Sequence, residues 1–247
     1  MLNKYFSITI PGLEKLRNVV VKVKGDQINF INGINRVDSI GKIKKFNYNC
    51  HYIVLLPAES IFYNSITLAE RNPYKVSEKS FMPKVAPQSE ADFAENFYYD
   101  YLETVSESEG TREIKLFAVK RKLLDSLTTE LDKHKNNYLV SALPVVIFAV
   151  INKILNKKNY LLYYKINKKY TLLTVRNNKL DLLQSGIKSE NLQPEIDKTV
   201  KYYLNSFKLD LDLIEGSSKL LKLGKFIDLK ADDFAFLTAL FWSVNKC

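Results

Sequence analysis

Cys50 and His51 place a thiol beside an imidazole in a chain of 247 residues with two cysteines and two histidines. A cysteine nucleophile needs its base on the same side as the reacting atom. The pair lies in a run with strand character, where neighbouring side chains face opposite sides. We therefore expect a packed cysteine beside a partly exposed histidine. His134 falls in a basic helix end and is expected to be solvated.

The short motifs that bind phosphate or activate a nucleophile are absent from the sequence. It contains no GxxxxGK[ST], no GxGxxG and no nucleophile elbow. The few cysteines and histidines lack the spacing of a zinc site. A metal-dependent nuclease needs clustered carboxylates, whereas the acids here are singly placed or lie in one tyrosine-rich segment. We expect no metal site and no catalytic residue.

That tyrosine-rich segment spans 87–109 and carries seven acids, five aromatic residues and no lysine or arginine. One interpretation is an irregular loop that leads into an edge strand, with the aromatics inward and the acids solvated. The other is an acidic docking surface, because aromatics surrounded by charge are typical partner anchors. The exposed edge of a strand at 60–68 is a further place where a partner peptide would fit. The partner-binding candidates are Phe93, Phe97, Tyr98, Tyr99, Asp100 and Tyr101.

Positive charge is concentrated in the second half of the chain. The formal net charge is +10, with 18 Lys/Arg against 16 Asp/Glu in residues 1–130 and 19 against 11 in 131–247. Such a surface attracts nucleic acid, an anionic membrane or an acidic protein. The bland alternative is a genome whose composition favours lysine codons. Because the cations are scattered and almost all lysine, nucleic-acid recognition is disfavoured.

The longest apolar run, at 138–151, has 14 residues and contains a proline. A membrane-spanning helix needs roughly 20 residues, so we expect a buried core helix over 139–155. The first residues show no secretory signal. The sequence leaves open whether a membrane segment follows Cys247.

Alternating and helical patterns place the other elements. The mixed order predicts two lobes, each a sheet flanked by helices. Strands are predicted at 5–10, 18–24, 27–31, 51–56, 60–68, 112–119, 160–166, 170–175, 179–183 and 209–214, and helices at 72–84, 120–133, 139–155, 191–206 and 234–244.

Several phrases of the sequence resemble the actin-like lobes of the type IV pilus assembly protein PilM and the type II secretion protein GspL. They are HYIVLLPAESIFYNSITLAERNPYKV at 51–76, YYDYLE at 98–103, LFAVKRKLLDSLTTEL at 116–131, the helix at 139–155, the paired strands at 161–187, LIEGSSKLLKLGKFI at 213–227 and DDFAFLTALFWSV at 232–244.

The resemblance implies an α/β fold with mixed sheets: a two-lobed actin-like (ribonuclease H-like) fold with a small inserted strand-helix-strand-strand domain. It divides the chain into a first lobe at 1–50 plus about 134–156, the inserted domain at 51–133 and a second lobe at 157–247.

The loops that hold nucleotide in active actin-like proteins are degenerate in this sequence. The first loop usually has Asp-x-Gly-Ser, and here it has Thr9 and Gly12 without the acid. The second usually has Asp-x-Gly after a strand, and here the stretch YKINKKYT, which ends at Thr171, has Lys165 in place of the acid and the residues 167–169 (Asn-Lys-Lys) in place of glycine. Only the third keeps a Gly-Ser-Ser pattern, at Gly216, Ser217 and Ser218. We therefore expect a pseudo-ATPase without a cofactor.

The resemblance implies a non-catalytic scaffold on the cytoplasmic face of the inner membrane. Its partners would be a membrane-anchored pilus or secretion platform protein, the motor ATPase and a second copy of itself. Two alternatives stay open: a relative that still binds nucleotide through divergent loops, and a basic nucleic-acid-binding protein. The latter would bind DNA with an affinity that falls steeply with salt.

Overall fold

The computed structural model describes residues 4–12, 15–24, 27–30, 35–39, 42, 50–69, 82, 84, 90–106, 111–133, 138–166, 168–217, 234, 238 and 242. The strands are β1 (Lys4–Pro11), β2 (Leu16–Lys24), β3 (Gln27–Phe30), β4 (Asn35–Val37), β5 (Cys50–Leu56), β6 (Ile61–Ala69), β7 (Phe97–Ser106), β8 (Thr111–Lys120), β9 (Tyr138–Ala142), β10 (Tyr160–Ile166), β11 (Lys169–Arg176), β12 (Lys179–Ile187) and β13 (Asp212–Glu215). The helices are α1 (Glu90–Asn96), α2 (Arg121–Lys133), α3 (Leu143–Leu155) and α4 (Leu192–Phe207), with 3-10 turns at Ala58–Ser60 and Ser189–Asn191.

The chain divides into two compact units. The small unit is Ser60–Thr129, and the large unit contains Met1–Glu59 and Glu130–Cys247. The three-segment division expected from the resemblance remains a prediction. The strand β5 belongs to a sheet of the large unit, because it pairs with β1 and β9 on its two sides.

The first sheet of the large unit has the strand order β3-β2-β1-β5-β9, with β4 also paired to β2. The strands β1, β5 and β9 run parallel, whereas β2 is antiparallel to β1. Six consecutive residues at the end of β1 are buried, as are the last five of β5. Such continuous burial is expected of strands that are covered on both faces.

The second sheet of the large unit has the order β12-β11-β10-β13, and β13 is parallel to β10 while the other pairs are antiparallel. One face packs against α4, where Leu161 and Leu172 form a cluster with Ile196, Tyr203 and Leu211. The helix α4 ends in a left-handed residue, Lys208 (φ 56°), whose N–H bonds the carbonyl oxygens of the last turn.

The small unit is a three-stranded antiparallel sheet in the order β6-β8-β7, with α1 before it in the chain and α2 after it. Its core contains Met82, Phe93, Ile114, Leu116 and Ala118. Two ion pairs with a buried cation lie on this sheet, Arg112 with Glu103 and Lys115 with Glu113. Ile114, Leu116 and Ala118 are alternate residues of β8, so one side of the sheet faces this apolar core.

The structure corrects the element predicted at 139–155. Its first residues form the strand β9, and the helix α3 begins only at Leu143, with Pro144 in its first turn. The strand β9 at the end of the sheet is mostly apolar and runs directly into the apolar helix α3, so periodicity does not separate the two. The strand predicted at 209–214 begins at Asp212. The predicted helices at 72–84 and 234–244 lie outside the described residues, apart from single helical positions in each.

Candidate functional site

Thr9 of the predicted first nucleotide loop is buried inside the sheet. The side-chain amide nitrogen of Asn18 lies 2.9 Å from Thr9 Oγ1, 2.9 Å from Ser7 Oγ and 3.1 Å from the carbonyl oxygen of Ile8. The hydroxyl at Thr9 is therefore occupied by an internal contact. A hydroxyl also lacks the charge with which an aspartate at this place would help to hold Mg²⁺.

Gly12 lies in the tight turn that joins β1 to β2. Its N–H donates to the carbonyl oxygen of Lys15 at 3.0 Å, directly beyond the pair formed by Pro11 and Leu16. The turn amide thus closes the hairpin. In a phosphate-binding loop such an amide would point at the ligand instead.

The predicted second loop is the turn between β10 and β11. Lys168 adopts a left-handed conformation (φ 67°), which is ordinarily the place of glycine. The ammonium nitrogen of Lys165 lies 5.5 Å from the centre of the Tyr170 ring. Thr171 is completely buried and lies opposite Tyr164 in the ladder, and burial raises the pKa of Tyr164 far above its ordinary value. This turn presents lysines at its surface, with the buried Thr171 and Tyr164 behind them.

The third loop begins at Gly216, whose N–H donates to the carbonyl oxygen of Tyr163 at 2.7 Å. A Cβ at this position would lie 2.6 Å from Tyr164 Cβ and 2.8 Å from Phe234 Cε1. Packing therefore favours glycine here, because a side chain would clash with Tyr164 Cβ and the Phe234 ring. Ser217 is half-buried, and Ser218 lies outside the described residues.

The first two loops, as far as the structure describes them, carry no carboxylate, and Glu215 is the acid next to the third. Glu215 is exposed and contributes, after burial, to raising the pKa of Tyr163. Among the described residues, no group of three or more His, Cys, Asp or Glu side chains has the arrangement of a metal site. The described residues of the first two loops therefore lack the aspartate that usually stands in each of these loops in active actin-like proteins.

The six candidate partner-binding residues divide between the two sides of β7 and the helix before it. Phe93 is fully buried in the core of the small unit, where its ring stacks on Phe97 at 4.7 Å. Tyr99 and Tyr101 also pack against this core. Phe93 therefore has no surface to offer a partner, and its aromatic ring serves packing.

Tyr98 and Asp100 point to the opposite side of β7, together with Leu102, which is 58% exposed. The Tyr98 hydroxyl donates to Asp125 Oδ1 at 3.0 Å, and the Arg121 guanidinium lies 4.1 Å from the centre of its ring. These two contacts from α2 hold the tyrosine in one orientation. An exposed side chain that is already ordered loses little entropy when a partner binds.

Cys50 and His51 adopt the arrangement predicted for them. The thiol is buried, and that burial raises the pKa of Cys50 to about 11. The His51 ring stacks on Phe6 at 5.5 Å, on the other side of the strand. A buried neutral thiol is a poor nucleophile, so these residues pack the sheet.

Sequence reasoning missed Asn18 and Asp181, the two polar groups that organise the large unit. Asp181 receives a double hydrogen bond from Arg176 (3.0 and 3.1 Å) and a third from the Tyr203 hydroxyl at 2.6 Å. Asn18 lies next to Val19, and Asp181 lies between Leu180 and Leu182. A polar residue beside apolar ones in a strand is the signal that would have indicated them, because buried polar groups must be paired.

No family model matches the chain, and no curated protein matches it. Solved structures do match. The cytoplasmic domain of EpsL, an inner membrane component of the type II secretion system of Vibrio cholerae, is 13% identical, with a TM-score of 0.59 over 96% of this chain and 95% of that one. A Bacteroides thetaiotaomicron protein with an actin-like ATPase fold and unknown function is 10% identical, with a TM-score of 0.54 over 96% of each chain.

A third similar structure is the PilM–PilN type IV pilus biogenesis complex, 12% identical, with a TM-score of 0.52 over 87% of this chain and 82% of that one. At these identities the likeness concerns the fold. It confirms the predicted actin-like fold and the resemblance in fold to the PilM and GspL kind. None of the helices in the described part of the chain is long and apolar enough to cross a bilayer.

Proposed function

We propose that this chain is a non-catalytic, actin-like scaffold of a type IV pilus or type II secretion assembly platform. The observation that carries the proposal is the third loop, because the Gly216 amide is bonded to Tyr163 and its Cβ space is filled by Tyr164 and Phe234. The described residues of the first loop, Thr9 to Gly12, carry no carboxylate, which supports the same proposal. A loop whose amide and space are both taken serves packing rather than phosphate binding.

The fold neighbours support the choice of machinery. One is the cytoplasmic domain of an inner membrane component of type II secretion, and another is PilM in complex with PilN. By that likeness the partner of this chain is a membrane-anchored platform protein. The chain itself then lies at the cytoplasmic face of the inner membrane. Coupling to the motor ATPase and self-association belong to the same proposal.

The partner surface that we propose is the outward side of β7, formed by Tyr98, Asp100 and Leu102. It combines an ordered aromatic ring, an exposed carboxylate and an exposed leucine. Interface centres typically combine such aromatic and apolar anchors with a polar rim. A partner segment with basic residues flanking apolar ones complements it.

The loss of nucleotide binding is tested by thermal unfolding of the chain with Mg-ATP, with Mg-ADP and with Mg²⁺ alone. A ligand at about 100 times its dissociation constant adds roughly 2.7 kcal/mol to the free energy of unfolding, which raises the melting temperature visibly. We expect no shift at millimolar nucleotide. A clear shift with ATP or ADP over the Mg²⁺ control would favour the nucleotide-binding alternative instead, and Ser217→Ala would then show whether the third loop holds the ligand.

A further inference from the structure

Both outer strands of the small sheet carry an unusual contact between a side chain and the backbone. In β7, the Asp100 carboxylate accepts the N–H of the next residue, Tyr101, at 2.8 Å. In β6, the Asn64 side-chain oxygen accepts the N–H of the next residue, Ser65, at 2.9 Å. Each acceptor is the fourth residue of its strand, so the same device occurs near the middle of both strands.

These two strands are the edges of the sheet within the described part of the chain, where each pairs only with β8. An edge strand presents a row of backbone donors and acceptors that a strand of another chain is able to continue. The strands here have nine and ten residues, which is long for an exposed edge. Proteins that retain such edges protect them with charges, prolines or bulges.

We infer that Asn64 and Asp100 are edge-blocking residues that prevent strands of other chains from pairing with the small sheet. A donor that already bonds a neighbouring side chain is no longer available to an incoming strand. Asp100 adds a second obstacle, because strand addition would bury its exposed carboxylate without a cation. The edge strand β6, predicted from the sequence at 60–68 as a place for a peptide strand, is thereby closed at its centre. The inference does not depend on the proposed function.

Amide hydrogen exchange on the full chain, resolved by NMR, tests the contact itself. In Asp100→Val the Tyr101 amide loses its acceptor, and in Asn64→Val the Ser65 amide does. We expect each amide to exchange about fivefold faster than in the unaltered chain, as befits one lost hydrogen bond. The controls Asp100→Asn and Asn64→Asp keep an oxygen acceptor and should leave the rates within about twofold. Unchanged exchange in the valine variants would overturn the inference, because those amides would then be bonded to β8.

Sedimentation velocity over a concentration series tests the consequence. We expect the double variant Asn64→Val/Asp100→Val to associate at a concentration about tenfold lower than the unaltered chain does. The double control Asn64→Asp/Asp100→Asn moves the single negative charge from residue 100 to residue 64, keeps an oxygen acceptor at both places and should associate as the unaltered chain does. Equal association of all three proteins, or of the two double variants, would overturn the inference. If valine prevents folding, Asn64→Ala/Asp100→Ala provides the same test.

Discussion

The strands β10 and β7 belong to the large and the small unit and show two different relations of a strand to its surroundings. Five of the seven residues of β10 are buried, with Leu161 against α4 on one face and Tyr164 against Phe234 on the other. In β7, half-buried aromatics alternate with the exposed Tyr98, Asp100 and Leu102. The first strand is mostly buried on both faces, whereas the second presents Tyr98, Asp100 and Leu102 to solvent on one side. Of these two strands, only β7 offers a described row of exposed side chains to a partner.

The two units also differ in net charge. The small unit has 9 Lys/Arg against 11 Asp/Glu, while the rest of the chain has 28 against 16. A basic partner is therefore attracted to the small unit and repelled by the large one. This difference explains why we propose the partner surface on β7 despite the positive charge of the whole chain.

Replacing Phe93 with alanine should have the largest effect, because it removes a fully buried aromatic side chain from the core of the small unit. We expect the free energy of unfolding of this unit to fall by about 3–5 kcal/mol. Chemical denaturation followed by hydrogen exchange in β7 and β8 measures it. Tyr98→Phe is the control, since it removes one exposed hydrogen bond. Equal losses in both variants would contradict a buried role for Phe93.

Replacing Gly216 with alanine tests the large unit. The new methyl group would lie 2.6 Å from Tyr164 Cβ, which is too close for a carbon–carbon contact, so the sheet or the Phe234 ring must shift. We expect a loss of about 1–3 kcal/mol, seen as a lower melting temperature. Ser217→Ala, one residue further, should change it little. Full tolerance of Gly216→Ala would mean that the third loop has free space after all.

Replacing Tyr203 with phenylalanine removes the hydrogen bond to Asp181 and should cost about 1–2 kcal/mol at neutral pH. Burial, and then the bond to Asp181, raise the pKa of Tyr203 above its ordinary value of 10.0. Because the folded pKa is the higher one, its stabilising contribution is complete below pH 10 and is lost as the pH rises toward the folded pKa.

Urea denaturation at about pH 9 and about pH 11 measures this dependence. The unaltered chain should lose more stability over that interval than Tyr203→Phe does. The difference is the pH-dependent contribution of Tyr203 to the free energy of unfolding. Tyr160 and Tyr164, whose pKa values burial also raises, contribute equally to both proteins and cancel. An equal loss of stability in the two proteins between these pH values would contradict a raised pKa of Tyr203 in the folded protein.

The smallest effect on stability is expected from Leu102→Ser, because this side chain is 58% exposed. Its free energy of unfolding should change by less than about 0.5 kcal/mol, while recovery of the platform protein with the tagged chain from solubilised membranes should fall several-fold. Leu204→Ser, on the large unit and 49% exposed, is the matched control and should retain the partner. Equal recovery with both variants would remove β7 from the proposed partner surface.

Alternation and helical periodicity predicted most strands and the helices α2 and α4, because those elements repeat a pattern over many residues. The strand β9 was not predicted, because it joins α3 in one long, mostly apolar run in which only Pro144 marks the transition from strand to helix. Two interpretations of the segment 87–109 stayed open, with its aromatics inward or as anchors for a partner. Phe93, in the short helix α1, is buried, whereas the aromatics that follow alternate between the two sides of β7.

The candidate loops were located by resemblance, but their state depends on contacts between distant parts of the chain. No local pattern shows that the Gly216 amide bonds Tyr163, or that Tyr164 and Phe234 close around it. The same holds for Asn18, which reaches back to Thr9 across the hairpin. Such contacts arise from the pairing of strands and are visible only in three dimensions.

The side chain of Asn18 also has a consequence for how the first hairpin folds. Its amide reaches Ser7, Ile8 and Thr9 in the pairing that the hairpin adopts, with Asn18 opposite Thr9. A slip of two residues that placed Asn18 opposite Pro11 would keep every side chain on its own face but would draw the amide away from Ser7. The weakened hydrogen bonding of a buried amide disfavours that alignment, although hydrophobic burial alone would permit it. A single polar side chain thereby helps to fix the register of the first two strands.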